Sequence, residues 1–426
     1  MKKIKIVKVT PHNFKGFDEA YVDFTERTEI AGDNSTGKTS IADAVAFAFT
    51  GTNCFGEKVD FFKNDSDFAW VEVIFEDSEG EEKTLKREIQ LDAKGSVSTT
   101  IRLDHTIMKT SSMPIESPLF LSSINPRYFF NLSATKGKDF VCSLETLDTE
   151  DVLEKIEDED IVNLLKLLPK VTSDLKKVIK EKSSVDKEIK ELEEKAELIK
   201  EKMKEESVFL NSYLYDSKDT LTDEELSKIT DLKELKDAVV ENYRIAMHQF
   251  AKKKLDQLSA ELKDEVEPLE ELQKKSNALK AYQDAYLDSA TERLNSKMKN
   301  VRINLKGYTL AGKEKNVWEV FYKDIPIQNC SASEIILAGL EVNKMIKASG
   351  LDYPLFIDNA ESLTKLPKEA DEINQIVSFV VAKDYALSVF KEDVIVDIAT
   401  METMPRKNKE EVTVFRLLGT LFDCEE

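Results

Sequence analysis

Two stretches in the middle of the chain carry an apolar residue at every third and fourth position in alternation. Leu175, Val178, Val185, Ile189, Leu192, Ala196, Ile199 and Met203 keep that step with Lys182 filling one place, and Leu255, Leu258, Leu262, Leu269, Leu272, Leu279 and Tyr286 keep it with Glu265, Ser276 and Gln283 in the gaps. A sustained three–four step is the seam of a coiled coil. Lysine and glutamate crowd the flanking positions, which leaves a narrow apolar stripe; a helix in a plain bundle, the other arrangement the pattern admits, shows a wider one. The breaker-containing stretch 213–231 lies between the two sets. An antiparallel hairpin is then the economical arrangement, with arms on the order of 45 Å if about thirty residues of each are helical, and Pro268 predicts a local bend in the return arm.

The sequence on either side of this hairpin reads differently. Alternation at 4–9 and 20–24 predicts strands, as do 70–75 and 83–91 with a turn at 77–81 between them. From Lys38 to Phe49 the chain is rich in Ala, Ile and Phe, lacks a helix breaker and stops at Thr50-Gly51, a helix with a glycine at its C-terminal cap. After the hairpin, 301–305, 318–322, 354–357, 376–381 and 394–398 read as strands and 333–346 as a helix. The predicted organisation is an N-terminal lobe over 1–150, a helical hairpin over 151–300 and a C-terminal lobe over 301–426, the two lobes forming one α/β domain from both ends of the chain.

Between the strand at 28–31 and the helix from Lys38 stands Gly32-Asp33-Asn34-Ser35-Thr36-Gly37-Lys38-Thr39, the G-x-x-x-x-G-K-T pattern of a P-loop. Four residues between the glycines let successive N–H groups curl around a phosphate, Gly37 permits close approach, and Lys38 adds a point charge. Thr39 offers a hydroxyl to magnesium; Ser40 completes the candidate nucleotide-contacting run. A P-loop needs a distant carboxylate for its metal. Tyr353-Pro354-Leu355-Phe356-Ile357-Asp358 is an apolar strand ending in Asp358; alone, such an Asp more often marks a turn or a helix cap.

These motifs together resemble the SMC/SbcC-like ATPases, an ABC-type class that includes RecF- and RecN-type repair proteins. Asn13-Phe14-Lys15-Gly16-Phe17 is similar to the turn between the first two strands of those heads, and Ser331-Ala332-Ser333-Glu334 through Ala338-Gly339-Leu340 resembles their signature segment. The resemblance implies an ABC-type head that binds ATP and Mg²⁺, with Ser331 touching the γ-phosphate held by a second copy. It implies a homodimer of ATP-sandwiched heads acting on DNA in repair, recombination or replication, with room for a nuclease partner and with Lys15 and the lysines of the first strand as candidate DNA contacts. The segment 124–132 resembles the Q-loop region, where Asn125 stands in place of glutamine and could reach metal or water; Asn125-Pro126 also suits a simple turn start. Asn359 occupies the position of the glutamate that polarises the attacking water; asparagine orients water but cannot accept its proton. Glu361 is the nearest alternative carboxylate, so the expected catalytic group is Asp358, Asn359 and Glu361, and hydrolysis is expected to be slow. Ala332 and Ser333 replace the paired glycines of the signature, and Ala382-Lys383 follows the strand where a switch histidine is common.

A net charge of −21 argues against a protein coated in positive potential, so DNA binding is not readable from bulk charge and would need a local basic patch. Cys54, Cys142, Cys330 and Cys424 form no C-x-x-C pair and His12, His105 and His248 share no metal-ligand spacing, so neither a disulfide framework nor a zinc site is indicated. Without a signal-peptide core or a run of about eighteen apolar residues, the expected location is the cytoplasm, away from membranes. Two other functions fit the motifs less fully: an ATP-gated DNA tether that does not hydrolyse, and a P-loop kinase of small molecules in which the helical insert is a lid.

Overall fold

Alternating burial along Phe68–Glu76, with every second side chain inside, marks a sheet that faces a core on one side. In the computed structural model this strand is central to an antiparallel sheet of seven strands: Phe17–Glu19, Lys5–Phe14, Phe68–Glu76, Glu82–Leu91, Val97–Leu103 and Thr106–Ile107 in that order, with Val22–Asp23 also on Lys5–Phe14. The structure describes the whole chain apart from residues 1, 110–111, 114, 170, 212–219, 309–313, 384–385, 391–393 and 406–426. Cys424 therefore lies outside the described residues, as does part of the stretch 213–231.

A second sheet draws on both ends of the chain. Its order is Leu355–Ile357, Ile376–Val381, Arg27–Gly32, Ser388–Phe390, Val394–Asp397 and Thr403–Pro405. The first three strands are parallel and the rest antiparallel. Residues 27–32 thus sit between strands that lie more than 340 positions later. Gln375 adds a tie between the sheets: its amide accepts from the Ile6 N–H at 2.8 Å and donates to the Ile6 carbonyl at 2.7 Å and the Thr25 carbonyl at 3.1 Å.

The helix Lys38–Thr50, here the P-loop helix, packs against strands of both sheets. All nine residues from Ile41 to Phe49 are buried and all but Asp43 are apolar, as a helix enclosed on every side requires. Phe47 packs on Phe14 and Phe61, and Phe49 on Phe75 and Phe120. Its C-terminus ends at Gly51, whose left-handed φ of 76° lets its N–H reach the Phe47 carbonyl. The buried guanidinium of Arg87 donates to the Ala48 carbonyl at 3.1 Å and the Phe49 carbonyl at 3.4 Å, a cation at the negative end of the helix dipole. Burial pulls the Arg87 pKa down to about 10, which leaves it charged in this place.

The helix Ala332–Ala348 packs on the short helices Ser117–Ile124 and Pro126–Phe130. Gly339 is required there, since a Cβ would lie 2.7 Å from Pro126 Cγ. Buried Asn343 donates to Ser123 Oγ at 2.6 Å, and Ser123 Oγ in turn to the Tyr353 and Pro354 carbonyls. A small third sheet, Val301–Tyr308, Glu314–Tyr322 and Ile325–Pro326, holds Trp318, whose Nε1 donates to the Phe129 carbonyl at 2.7 Å.

The chain divides into two compact units, residues 1–146 with 287–426, and residues 147–286. The second holds the outgoing helix Leu175–Asn211 and most of the return helix Leu232–Ser296, the seam residues buried or half-buried. Cross-pairs run in antiparallel order: Glu206 with Lys254, Lys195 with Glu265 and Asp186 with Ser276. The fold is an α/β domain assembled from N- and C-terminal segments and interrupted by an antiparallel helical hairpin. The return helix begins 23 residues before Leu255, so at 65 residues it is longer than the heptad stripe predicts, and it continues through Pro268. Apolar Ile245 and Ala251, buried ahead of the heptad set, extend its packed face.

Candidate nucleotide-binding site

Strand Arg27–Gly32 delivers the chain to the loop, and the P-loop helix leaves it. Gly32 has no room for a side chain: a Cβ would stand 2.7 Å from Thr36 Oγ1 and 3.2 Å from Leu387 Cα. Gly37 caps the helix at φ 98°, and a Cβ there would stand 2.9 Å from Phe17 Cζ. Ser35 also takes a positive φ, 64°. Within the loop, Asn34 N–H donates to Asp33 Oδ1 at 2.7 Å and Thr36 Oγ1 to the Asp33 carbonyl at 2.9 Å. The Lys38 ammonium donates to the carbonyls of Gly32 and Asp33, at 2.9 and 2.8 Å.

The helix has no side-chain cap at its N-terminus. Among the described residues no acceptor engages the main-chain N–H groups of Gly37, Lys38 and Thr39, or the hydroxyls of Thr39 and Ser40. Converging N–H donors at a helix N-terminus, with a lysine beside them and glycines where side chains would intrude, fit a nucleotide phosphate group.

Asp358 follows directly on strand Leu355–Ile357. The three parallel strands place Ile357 beside Ser378 and Ser378 beside Glu29, while Gly32 lies beside Val381. The loop and Asp358 therefore share the carboxyl edge of the parallel strands, two strands apart, roughly 10 Å across the sheet; ligands of open α/β sheets bind at such an edge. Asp358 is exposed, and its Oδ1 accepts from the Asn359 N–H at 3.1 Å. Asn359 holds a left-handed φ of 54°, and Glu361 is exposed on the following 3₁₀ turn Ala360–Ser362. Among the described residues no cluster of three His, Cys, Asp or Glu could cage a metal ion. The donor set at this edge, one carboxylate with a threonine hydroxyl, suits magnesium, which completes its shell with water and substrate phosphates.

Ser331 and Asn125 stand apart from that edge in their bonding. Ser331 is exposed and caps helix Ala332–Ala348 in a reciprocal box: Glu334 N–H donates to its Oγ, and both its N–H and Oγ–H donate to Glu334 Oε2 at 2.8 Å. Those bonds hold the Glu334 carboxyl below its usual range. The Asn125 amide is engaged at both ends, Oδ1 accepting from the Arg127 N–H at 3.2 Å as a helix cap and Nδ2 donating to the Cys54 carbonyl at 3.1 Å.

Phe17 and Lys15, from the turn 13–17, shape the loop through contacts that no motif reveals. Phe17 closes over Gly37. Lys15 pairs at 2.5 Å with Asp43, a carboxylate buried in the P-loop helix, whose other oxygen accepts from the Cys54 N–H at 2.9 Å. Lys15 thus directs its charge inward, while Lys5 faces Glu26 and Glu76 and Lys8 lies over the Tyr21 ring. A lone Asp in the stretch 41–49, otherwise Ala, Ile, Val and Phe, is the sequence signal that could have found this pairing.

This site and sheet define a P-loop NTPase. A family model described as "AAA ATPase domain" matches residues 3–409, and the chain belongs to that family. Among solved structures, an Smc head domain with a coiled coil and joint from Pyrococcus yayanosii is similar at 14% identity, covering 98% of this chain and 100% of that one, with a TM-score of 0.41. A recombination mediator protein RecF bound to ATP matches at 13% identity over 95% of this chain and 100% of that one, with a TM-score of 0.40. A comparison with curated proteins gave no match. No helix among the described residues is long and apolar enough to cross a membrane.

Proposed function

We propose that the chain binds ATP with magnesium on the loop Gly32–Ser40, hydrolyses it slowly, and acts on DNA through dimers that form when ATP joins two heads. The reading rests above all on the uncapped N–H groups and Lys38 lying on the same sheet edge as Asp358. In it the N–H groups of Gly37 to Thr39 take the β-phosphate, and Lys38 leaves the Gly32 and Asp33 carbonyls for the β- and γ-oxygens. Thr39 and Asp358 hold the magnesium, which supplies charge neutralisation on the phosphates. Asn359 orients water, and Glu361 is the carboxylate available to take its proton. Ser331, exposed at a helix N-terminus, serves the γ-phosphate of a second copy.

Asn359 also favours a second reading, an ATP-gated DNA tether in which hydrolysis is negligible. Phosphate release from the full chain, with and without DNA, separates the two. Slow release abolished by Lys38→Ala supports the enzyme; absent release with ATP-dependent dimers of Glu361→Gln in sedimentation supports the tether. Release unaffected by Lys38→Ala, or monomers under every nucleotide condition, overturns both; turnover that requires a small-molecule acceptor points to a kinase.

A further inference from the structure

A cavity of about 290 Å³, open on one side, lies against the helix Ala332–Ala348 and takes none of its walls from the loop 32–40 or from Asp358. That size stands at the small end of small-molecule sites. Three stretches build it: the turn 297–300 that leaves the return helix, the last residue of strand Glu314–Tyr322, and one face of the helix, with Pro367 completing it. Leu337, Leu340, Glu341 and Lys344 share that face because steps of three and four return to one side of a helix. Met298, Leu337, Leu340 and Pro367 make much of the lining apolar.

Most of its polar groups are already committed. Lys297 donates to Glu145 and, at 3.1 Å, to Ser349 Oγ, and Lys344 pairs with Glu372 at 2.9 Å. Glu341 Oε2 accepts from the N–H groups of Lys299, Asn300 and Val301 at 3.1, 2.8 and 3.1 Å, and its Oε1 from the Asn300 side-chain amide. Those bonds tie the carboxylate into the turn, and three lysines against this one acid leave the lining positive. Two groups remain over: neither the Lys299 ammonium nor the Tyr322 hydroxyl has a partner among the described residues. Lys299 is exposed, but Tyr322 is only 3% exposed, and a buried hydroxyl without an acceptor is costly. Burial, and then Glu341 and Glu334, raise the Tyr322 pKa, so the phenol keeps its proton and can donate it to a hydrogen bond.

We propose that this cavity binds a small organic acid, its carboxylate taking the Lys299 ammonium and the Tyr322 hydroxyl and its apolar body lying on Met298, Leu337, Leu340 and Pro367. Two donors match the two oxygens of a carboxylate, whereas a phosphate dianion calls for more. A cationic ligand finds no carboxylate to spare, because Glu341 is held by the turn. The acid touches both the end of the return helix and the helix that Ser331 caps. It is a ligand distinct from the nucleotide, and the site stands whether or not the chain hydrolyses ATP.

Calorimetry and saturation-transfer NMR on the full chain without nucleotide test this, with hydrocinnamate as the probe. The wild type is expected to bind it saturably, one molecule per chain. Lys299→Glu should weaken binding at least tenfold and Tyr322→Phe, which removes only the hydroxyl, about fivefold, with circular dichroism unchanged in both. Leu337→Trp, whose indole fills the cavity, should abolish it. The neutral hydrocinnamamide is expected to bind at least tenfold more weakly than the acid. No saturable binding by the folded wild type overturns the proposal, as does equal binding by Lys299→Glu and Tyr322→Phe, which places the acid elsewhere. Phenylpropylamine binding more tightly than hydrocinnamate overturns it too, since Glu341 is then the group that recognises the ligand.

Discussion

The P-loop helix and the return helix are the same secondary structure held by opposite means. The first has nine consecutive residues buried between two sheets; the second, 65 residues long, buries a narrow seam and leaves its charged flanks in water. Burial on all sides fixes the first helix to within the tolerance of its neighbours, because a packed interior does not deform continuously. Side-chain pairs on a wet surface do little of that. The loop with its converging N–H groups stands on the former kind of helix; the charged hairpin is built from the latter.

The comparison sharpens most at the loop. Lys38→Ala is expected to lower phosphate release about 10²-fold or more with little change in melting temperature, since the loop's own carbonyls are the ammonium's only partners among the described residues. If stability falls with activity, Lys38 is part of the scaffold and the separation of site from support fails.

Asp43→Ala tests the support itself. It leaves the Cys54 N–H without its acceptor and Lys15 without its carboxylate, a loss of roughly 3 kcal/mol in denaturant unfolding. A loss under about 1 kcal/mol would mean that the buried helix is no more demanding than an exposed one.

Alkaline pH probes the same support more gently. Burial, and then the Asp43 carboxylate, push the Cys54 thiol well above its ordinary value. The folded state therefore keeps a proton that the unfolded chain releases above roughly pH 8.5, so this contribution to stability is complete below that pH and shrinks as pH rises. By roughly pH 10 the loss is about 2 kcal/mol. It appears as a steeper fall of melting temperature in the wild type than in Cys54→Ala.

The smallest effect belongs to the hairpin. Removing the Lys195–Glu265 pair, at 3.7 Å and largely exposed on the lysine side, should cost less than about 1 kcal/mol and fade with salt. A larger, salt-independent cost in a double-mutant cycle would show that surface pairs, and not the apolar seam, set the register.

Contiguous patterns were legible. The strand at 376–381 stands where its β-branched run puts it and the helix starting at Lys38 where the absence of breakers does, and the heptad seam is the packed face of the hairpin. Strand Val97–Leu103 and the helices Ser117–Ile124 and Ala134–Leu144 were not read out, the first because serine and threonine fill its exposed positions, the helices because they are short and draw on the core for their order. At the site, the loop is contiguous and visible, while Phe17 over Gly37, Lys15 on Asp43 and Arg87 at the helix end are not.

By itself the sequence determined the local choices: where phosphate-sized turns of backbone occur, which stretches are helical or extended, and which faces are apolar. Those depend on φ/ψ preference and period, properties of neighbours in the chain. Only the tertiary structure decided that residues 27–32 lie between 376–381 and 388–390, that Asp358 shares the loop's sheet edge, and that Lys15 is committed to a buried carboxylate. Each joins residues far apart in sequence, and such pairings are selected by packing and by the need to satisfy buried polar groups, which no local pattern records.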